Sequence, residues 1–434
     1  MKKFVTLRIF QVAIIIFLSA FAGFLLGTNK VSLAWKNYTP IVSIVNKNPP
    51  AGQALDMKLF YDVFDRVNQG YYDKSKIDAG KLLQGAISGM LLSLGDPYTS
   101  FFPPKQNSEF KTQLAGEFSG IGAELSLSPE NKITVVAPLD DSPAKKAGIR
   151  AGDLVLKVDG EDTSGWTVVQ AVEKIRGPKG TTVDLSILHE KGKNPADIKI
   201  VRDTIVIKSV TGWVKNFSCD KNECSENSTG EQIAYIRLSQ FGDKTNDEWT
   251  ATVASINGKL ANKPFDGAQG KQAAGIILDL RNNPGGYLND AVFIASEFLN
   301  SGVVVLQEDA SKQQEALSVS RRGTLFSEPL IVLINKGSAS ASEIVSGALR
   351  DHTRAKLLGE TSFGKGTVQQ AVDLDGGASV HVSVAKWLTP NGVWVNKKGL
   401  EPDIKVTYDA SKSAKLVSKK LDNQIQAAIK ELLK

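Results

Sequence analysis

Leu278-Asp279-Leu280-Arg281-Asn282-Asn283-Pro284-Gly285-Gly286 closes a short apolar run, residues 275–280, and leads into residues 288–299. The apolar run predicts a buried strand, and the spacing beyond it predicts a helix. Between them, the Asn, Pro and Gly cluster reads as a tight turn. The pattern returns downstream: residues 330–334 predict a second buried strand, Asn335-Lys336-Gly337-Ser338-Ala339-Ser340-Ala341-Ser342-Glu343 the turn, and residues up to about 350 the helix. Short strands that are apolar throughout and alternate with helices predict a mostly parallel sheet. In such a sheet, chemistry belongs at the carboxyl ends of the strands.

Upstream, residues 205–217 and 232–241 are β-rich and flank a polar stretch containing Cys219 and Cys224. This predicts a hairpin with a small disulfide loop at its tip in an oxidising compartment. Thr245-Asn246-Asp247-Glu248 has the spacing of a capping box and opens a packing helix with Trp249, Val253, Ile256 and Leu260 on its apolar face. Residues 116–202 predict short strands punctuated by glycine, with helices around 143–147 and 168–175. Three pieces there stand in order: Ser119-Gly120-Ile121-Gly122, then Ser142-Pro143-Ala144-Lys145-Lys146-Ala147-Gly148-Ile149, then Ala151-Gly152-Asp153. The stretch resembles a PDZ domain of the bacterial protease type. Backbone N–H groups of the glycine loop can cradle a terminal carboxylate, while the adjoining strand edge pairs with an extended peptide.

The N-terminus bears on the compartment. Residues 9–27 form an apolar run long enough to span a hydrocarbon core, and Lys2, Lys3 and Arg8 precede it. The expectation is a retained single-pass anchor with the rest of the chain periplasmic or extracellular. A cleaved signal peptide is the rival, since Ala20-Phe21-Ala22 resembles a cleavage site. A linker at Pro49-Pro50-Ala51-Gly52 is followed by two helical periodicities, through Leu55–Val67 positions 55, 59, 60, 63, 64 and 67 and then positions 82–94, stopping at Gly95. Residues 409–434 predict a Lys-rich helical tail.

The chain has 434 residues with 42% hydrophobic and 23% charged, which excludes disorder and collagen-like repeats. A net charge of +6 from scattered basic residues gives no nucleic-acid stripe. Two cysteines and three separated histidines (His189, His352, His381) argue against zinc modules, iron–sulfur clusters and any other metal site, and no cofactor is expected.

Two segments can carry catalysis. A small-residue serine cluster at a strand-to-helix turn exposes a hydroxyl beside helix N–H groups that can stabilise an oxyanion. By chemistry alone the nucleophile can be Ser338, Ser340 or Ser342, and its base His352, His381 or a lysine. Lys365, in Phe363-Gly364-Lys365-Gly366-Thr367-Val368-Gln369, lies between two glycines that let the backbone approach a site closely. It serves as a base if burial pushes its pKa well below ~10.4, and Gln369 can fix the amine by hydrogen bonding.

Residues 55–405 resemble the C-terminal processing (tail-specific) serine protease family. The resemblance rests on Gly95-Asp96-Pro97-Tyr98-Thr99, the PDZ pieces, the 278–286 and 337–343 segments, and Gly359-Glu360-Thr361-Ser362-Phe363-Gly364-Lys365-Gly366. Leu388-Thr389-Pro390-Asn391-Gly392 and Gly399-Leu400-Glu401-Pro402-Asp403 complete it. It implies an α/β multidomain protein: membrane anchor at 9–27, helical region at 53–115, PDZ domain at 116–204, and tail at 409–434. Between the last two lies a βα core of the ClpP/crotonase type at 205–408, with the hairpin insertion at 218–231. It also implies a Ser–Lys dyad, with Ser340 as nucleophile, Lys365 as base and Gln369 orienting it. Gly286 and Ala341 supply oxyanion N–H groups, the choice between Gly285 and Gly286 staying open, and Ser119, Gly120, Ile121 and Gly122 bind the tail. Partners are then protein or peptide substrates with free C-termini, the membrane, and a second copy of the chain through the helical segments at both ends. Three rivals stand beside this: an inactive PDZ scaffold that only holds tails, a Ser-His hydrolase, and a crotonase-like acyl-CoA enzyme.

Overall fold

The computed structural model describes residues 14–21, 23, 31–36, 39–44, 57–128, 130–139, 141–189, 192, 194–220, 223–261, 273–409 and 421–434. Two units divide the chain, residues 1–82 and 83–434. In the first, Val31–Lys36 and Thr39–Ile44 pair as an antiparallel ribbon that the sequence reading did not contain. Lys58–Gly70 is the helix expected from the first apolar spacing, and it leaves Leu59, Tyr61 and Val63 exposed. Of the apolar run 9–27, residues 14–21 and 23 are described and are helical; the others lie outside the described residues. Among the described residues no helix is long and apolar enough to cross a membrane.

In the second unit, the PDZ region forms an antiparallel sheet in the order Ala196–Val201, Thr182–Leu188, Leu154–Val158, Ile133–Pro138, Ala123–Leu127. Its inward positions, Ile133, Val155, Val183, Leu185 and Ile187 among them, alternate with polar ones and form a separate core. The helix Val168–Ile175 starts from a capping box in which Thr167 and Gln170 each accept the other's backbone N–H. It packs on Ala123–Leu127, which ends the sheet and so offers an edge. Glu117–Gly120 pairs with Asp203–Val206, closing the two ends of the region on each other.

The core is built on a sheet in the order Cys224–Glu226, Val210–Cys219, Glu231–Leu238, Gly275–Asp279, Leu330–Ile334, Lys356–Gly359, Ile404–Lys405. From Glu231–Leu238 onward every pairing is parallel. Gly275–Asp279 and Leu330–Ile334 are buried at every position because both sheet faces are covered. Ile276, Leu278, Val332 and Ile334 pack under the helices Thr245–Ala261, Leu288–Ala295 and Ala341–Asp351. Ile277, Ile331 and Leu333 face the C-terminal helix Asn423–Leu432 through Ile425, Ala428 and Ile429. The remainder of the predicted tail, residues 410–420, lies outside the described residues. A second, antiparallel sheet runs Gln314–Ser318, Val303–Asp309, Ser379–Leu388, Thr367–Asp373, and Ser100–Phe102 adds onto Ser379–Leu388.

The expected capping box at Thr245 is corrected. Glu248 accepts hydrogen bonds from Ser209 N, Ser209 Oγ and Val210 N, so it ties the helix to the start of Val210–Cys219 instead of to its own first turn. A tertiary set of three donors outbids one local N–H.

Candidate active site

The two strand-to-helix turns meet at the carboxyl end of the parallel sheet. Ser338 Oγ donates to the Leu280 carbonyl (2.8 Å) and accepts from Asn335 N, while Ser342 Oγ donates to the Asn283 carbonyl (2.9 Å). Both residues are fully buried and use their hydroxyls to hold the turns together. Ser340 alone of the three is only half-buried. Its φ is 55°, a conformation that costs a β-carbon-bearing residue roughly 1–3 kcal/mol and that persists where surroundings over-determine it.

Glu343 supplies much of that determination. Fully buried, its carboxylate accepts four hydrogen bonds: Oε2 from Ser340 N and Lys365 N (2.9 Å each), Oε1 from Ser362 Oγ and Gly364 N (2.6 Å each). One carboxylate oxygen is thus shared by the backbones of residues 340 and 365. The Phe363 N–H also donates to the Ser338 carbonyl, and Trp387 and Trp394 donate their indole N–H groups to the Lys365 and Gly366 carbonyls (2.8 Å each). The loop 362–366 is fixed against the serine turn at both ends. Sequence reading gave Glu343 no role beyond the motif; the Ser-x-x-Glu spacing from Ser340 was the local signal for it.

Burial pushes the Lys365 amine below the usual lysine range, while the negative charges of Asp96 and Glu343 oppose that shift. Lowering favours the neutral base. The Lys365 Nζ stands 5.1 Å from the centroid of the Tyr98 ring. Gln369 does not meet the expectation of bonding the amine here. Its Nε2 donates to Thr367 Oγ1 (2.7 Å) and Ser383 Oγ (3.3 Å), and a register shift between Val368 and Gln369 interrupts the strand alternation that would have carried it to the same face.

The glycines at the end of the first turn press against the second. A β-carbon on Gly285 would meet Ser340 Cβ at 2.8 Å, and one on Gly286 would meet the Phe241 carbonyl oxygen at 1.7 Å. Gly285 N–H is spent on Asn283 Oδ1 (2.9 Å), which leaves Gly286 as the turn glycine with a backbone N–H to offer. Ala341 is the first residue of its helix, where N–H groups have no intrahelical acceptor.

Neither histidine hydrogen-bonds a serine of the turn. His352 Nε2 lies 2.7 Å from the Val303 carbonyl. His381 sits between Phe102 (4.3 Å) and Phe110 (4.9 Å); burial, then the Lys365 charge, push its pKa down against the pull of Asp373. In the PDZ region, Ser119 and Gly120 lie in the strand paired with Asp203–Val206, and Ile121 and Gly122 lead into the edge strand with their carbonyls taken by Ala144 N and Leu139 N. Cys219 and Cys224 are joined as a disulfide at the hairpin tip, where Gln426 of the C-terminal helix bonds both the N–H and the carbonyl of Cys224.

Comparison with known proteins gives the arrangement its relatives. The family model of peptidase family S41 matches residues 232–406, that of the PDZ domain residues 111–188, and that of the N-terminal domain of the activating protease CtpB residues 31–105. A carboxy-terminal-processing protease of Bartonella bacilliformis is 40% identical over 348 residues, covering 80% of this chain and 74% of the relative. The carboxy-terminal processing protease CtpB of Bacillus subtilis is 31% identical over 388 residues, covering 89% and 74%. The crystal structure of an S41-protease relative from Bacteroides fragilis shares the fold, with a TM-score of 0.56 at 16% identity over 89% of this chain and 99% of that one. This chain belongs to the carboxy-terminal processing proteases of peptidase family S41, serine-type enzymes, and carries their PDZ domain.

Proposed function

We propose that the protein is a membrane-anchored, extracytoplasmic endopeptidase that takes up the C-terminal tails of protein substrates through its PDZ domain and cuts them by a Ser340–Lys365 dyad. The observation that carries this reading is the Glu343 carboxylate shared between the backbones of residues 340 and 365 at the carboxyl end of the sheet.

Neutral Lys365 removes the Ser340 proton as Oγ attacks the scissile carbonyl carbon. The N–H groups of Gly286 and Ala341 receive the oxyanion of the tetrahedral intermediate. The C–N bond then breaks, the Lys365 ammonium returns its proton to the leaving amine, and an ester on Ser340 remains. A water deprotonated by Lys365 hydrolyses that ester. Gln369 steadies the amine, and its amide, now spent on Thr367 and Ser383, has to turn to do so. The Ala123–Leu127 edge and the Ser119–Gly122 segment hold the tail, and the helical segments at both ends of the extracytoplasmic part serve contact with a second copy.

Cleavage of an unfolded substrate by the purified full chain tests the dyad. Ser340→Ala and Lys365→Ala should each lose roughly 10³-fold or more in kcat, because the two act as a unit. His352→Gln should keep cleavage. The opposite pattern favours a Ser-His hydrolase. For the anchor, the outward-facing apolar side chains of the described helix, Ile15, Ile16 and Phe17 among them, support burial in a lipid. Alkaline extraction should leave the full chain in the membrane and release a chain starting at residue 29; release of both overturns the anchor.

A further inference from the structure

The Gly95-Asp96-Pro97-Tyr98-Thr99 turn has no part in the chemistry described above, yet it lies against the amine of Lys365. The Nζ–ring distance of 5.1 Å is within the range of a cation–π contact. The turn is built to hold that ring still. Asp96 accepts from Tyr98 N (3.0 Å) and Thr99 Oγ1 (2.7 Å). Ser383 N donates in turn to Thr99 Oγ1 (3.1 Å), and Ser383 Oγ accepts from Gln369. The strand that follows the turn, Ser100–Phe102, is paired with Ser379–Leu388, which is itself paired with Thr367–Asp373, the strand beginning just after Lys365. A turn that only starts a strand needs the local Asp96 bonds; it does not need an aromatic ring over an amine or a link to Ser383.

We propose that Tyr98 and Asp96 are positioning residues of the base: the Tyr98 ring is the wall on which the Lys365 amine rests, and the Asp96 carboxylate fixes that ring and sets the charge beside the amine. The proposal rests on the Ser340–Lys365 reading. The groups facing Lys365 are Asp96 and Tyr98 from the turn, Glu343 from the helix Ala341–Asp351 and His381 from Ser379–Leu388. Burial lowers the amine and the two carboxylates oppose it, so removal of the Asp96 charge leaves burial less opposed and the amine neutral at lower pH.

The test is the pH dependence of kcat and KM for the full chain on one peptide substrate. Asp96→Asn should move the acid limb of kcat/KM to lower pH. Tyr98→Phe should keep kcat within about threefold of wild type, and Tyr98→Ala should lower it at least about tenfold with KM nearly unchanged, as a misplaced base would. An acid limb that stays put or moves up in Asp96→Asn, or equal kcat for Tyr98→Phe and Tyr98→Ala, overturns the proposal. If Asp96→Asn proves unfolded by thermal melting, the Tyr98 pair decides alone. Lys365→Ala is assayed alongside. Retained activity there removes the dyad reading and this proposal together, whereas lost activity with an unmoved Asp96→Asn profile removes this proposal only.

Discussion

Glu343 shows how much a single side chain can hold. Four donors converge on one buried carboxylate, three from the loop 362–366 (Ser362 Oγ, Gly364 N and Lys365 N) and one from the backbone of Ser340. Replacing it with Gln keeps the shape but points an amide NH2 at groups that need acceptors. Glu343→Gln should lose about 3 kcal/mol in urea unfolding and lower kcat more than it raises KM. An unchanged unfolding midpoint would remove Glu343 from this role. Half of that role was legible in the sequence, because Ser340 and Glu343 have the spacing of a helix cap. The bonds to Ser362, Gly364 and Lys365 join distant segments and leave no local spacing to read. The same limit applied to the serines: their order in the chain left Ser338, Ser340 and Ser342 open, and only the Leu280 and Asn283 carbonyls, supplied by another turn, separate them.

Among the elements, the strands Gly275–Asp279 and Leu330–Ile334 could be read directly, since a strand covered on both faces shows as an unbroken apolar run, here closed in the first case by the buried Asp279. Their connection to the C-terminal helix could not. Buried Arg281 bonds Asp279 and reaches Gln424 Oε1 (2.8 Å) and Asp422 (3.0 Å), anchoring that helix beneath the turn that carries Gly286. The helix Leu288–Ala295 carries a cost of its own. Burial, reinforced by Asp243 and only partly offset by Asn246, pushes the Asp290 carboxyl up to about 6. One of its oxygens has no partner. A carboxyl raised in the folded state contributes stability that is complete below its unfolded pKa of about 3.9 and is lost as pH rises through about 6. Asp290→Asn should therefore flatten the fall in unfolding free energy between pH 4 and 7, by roughly 2–3 kcal/mol, read from denaturant titrations across that range. Parallel curves for wild type and variant would show that Asp290 ionises as an ordinary surface acid.

At the scale of the molecule, the PDZ region and the protease core have separate hydrophobic cores, and the pairing of Glu117–Gly120 with Asp203–Val206 closes the two ends of the PDZ region on each other. The glycine and Ser-Pro pieces made the PDZ domain legible because its turns need those residues. They did not reveal that Ser119 and Gly120 lie in a paired strand. Tail capture by the edge strand and the adjoining segment predicts that a substrate with an amidated C-terminus has a KM at least about tenfold above its free-acid twin, with kcat little changed. Equal KM values would leave the PDZ domain without a role in reading the terminus.

The most direct measurement of the dyad is the rate at which a fluorophosphonate probe phosphonylates the full chain, with loss of fluoride, as pH is varied, the modified residue being located by peptide mass. The prediction is one adduct, on Ser340, forming at a rate that rises through a single ionisation well below ~10.4 and vanishes in Lys365→Ala. An adduct on Ser338 or Ser342, or a Lys365→Ala chain that reacts as fast as wild type, would contradict it.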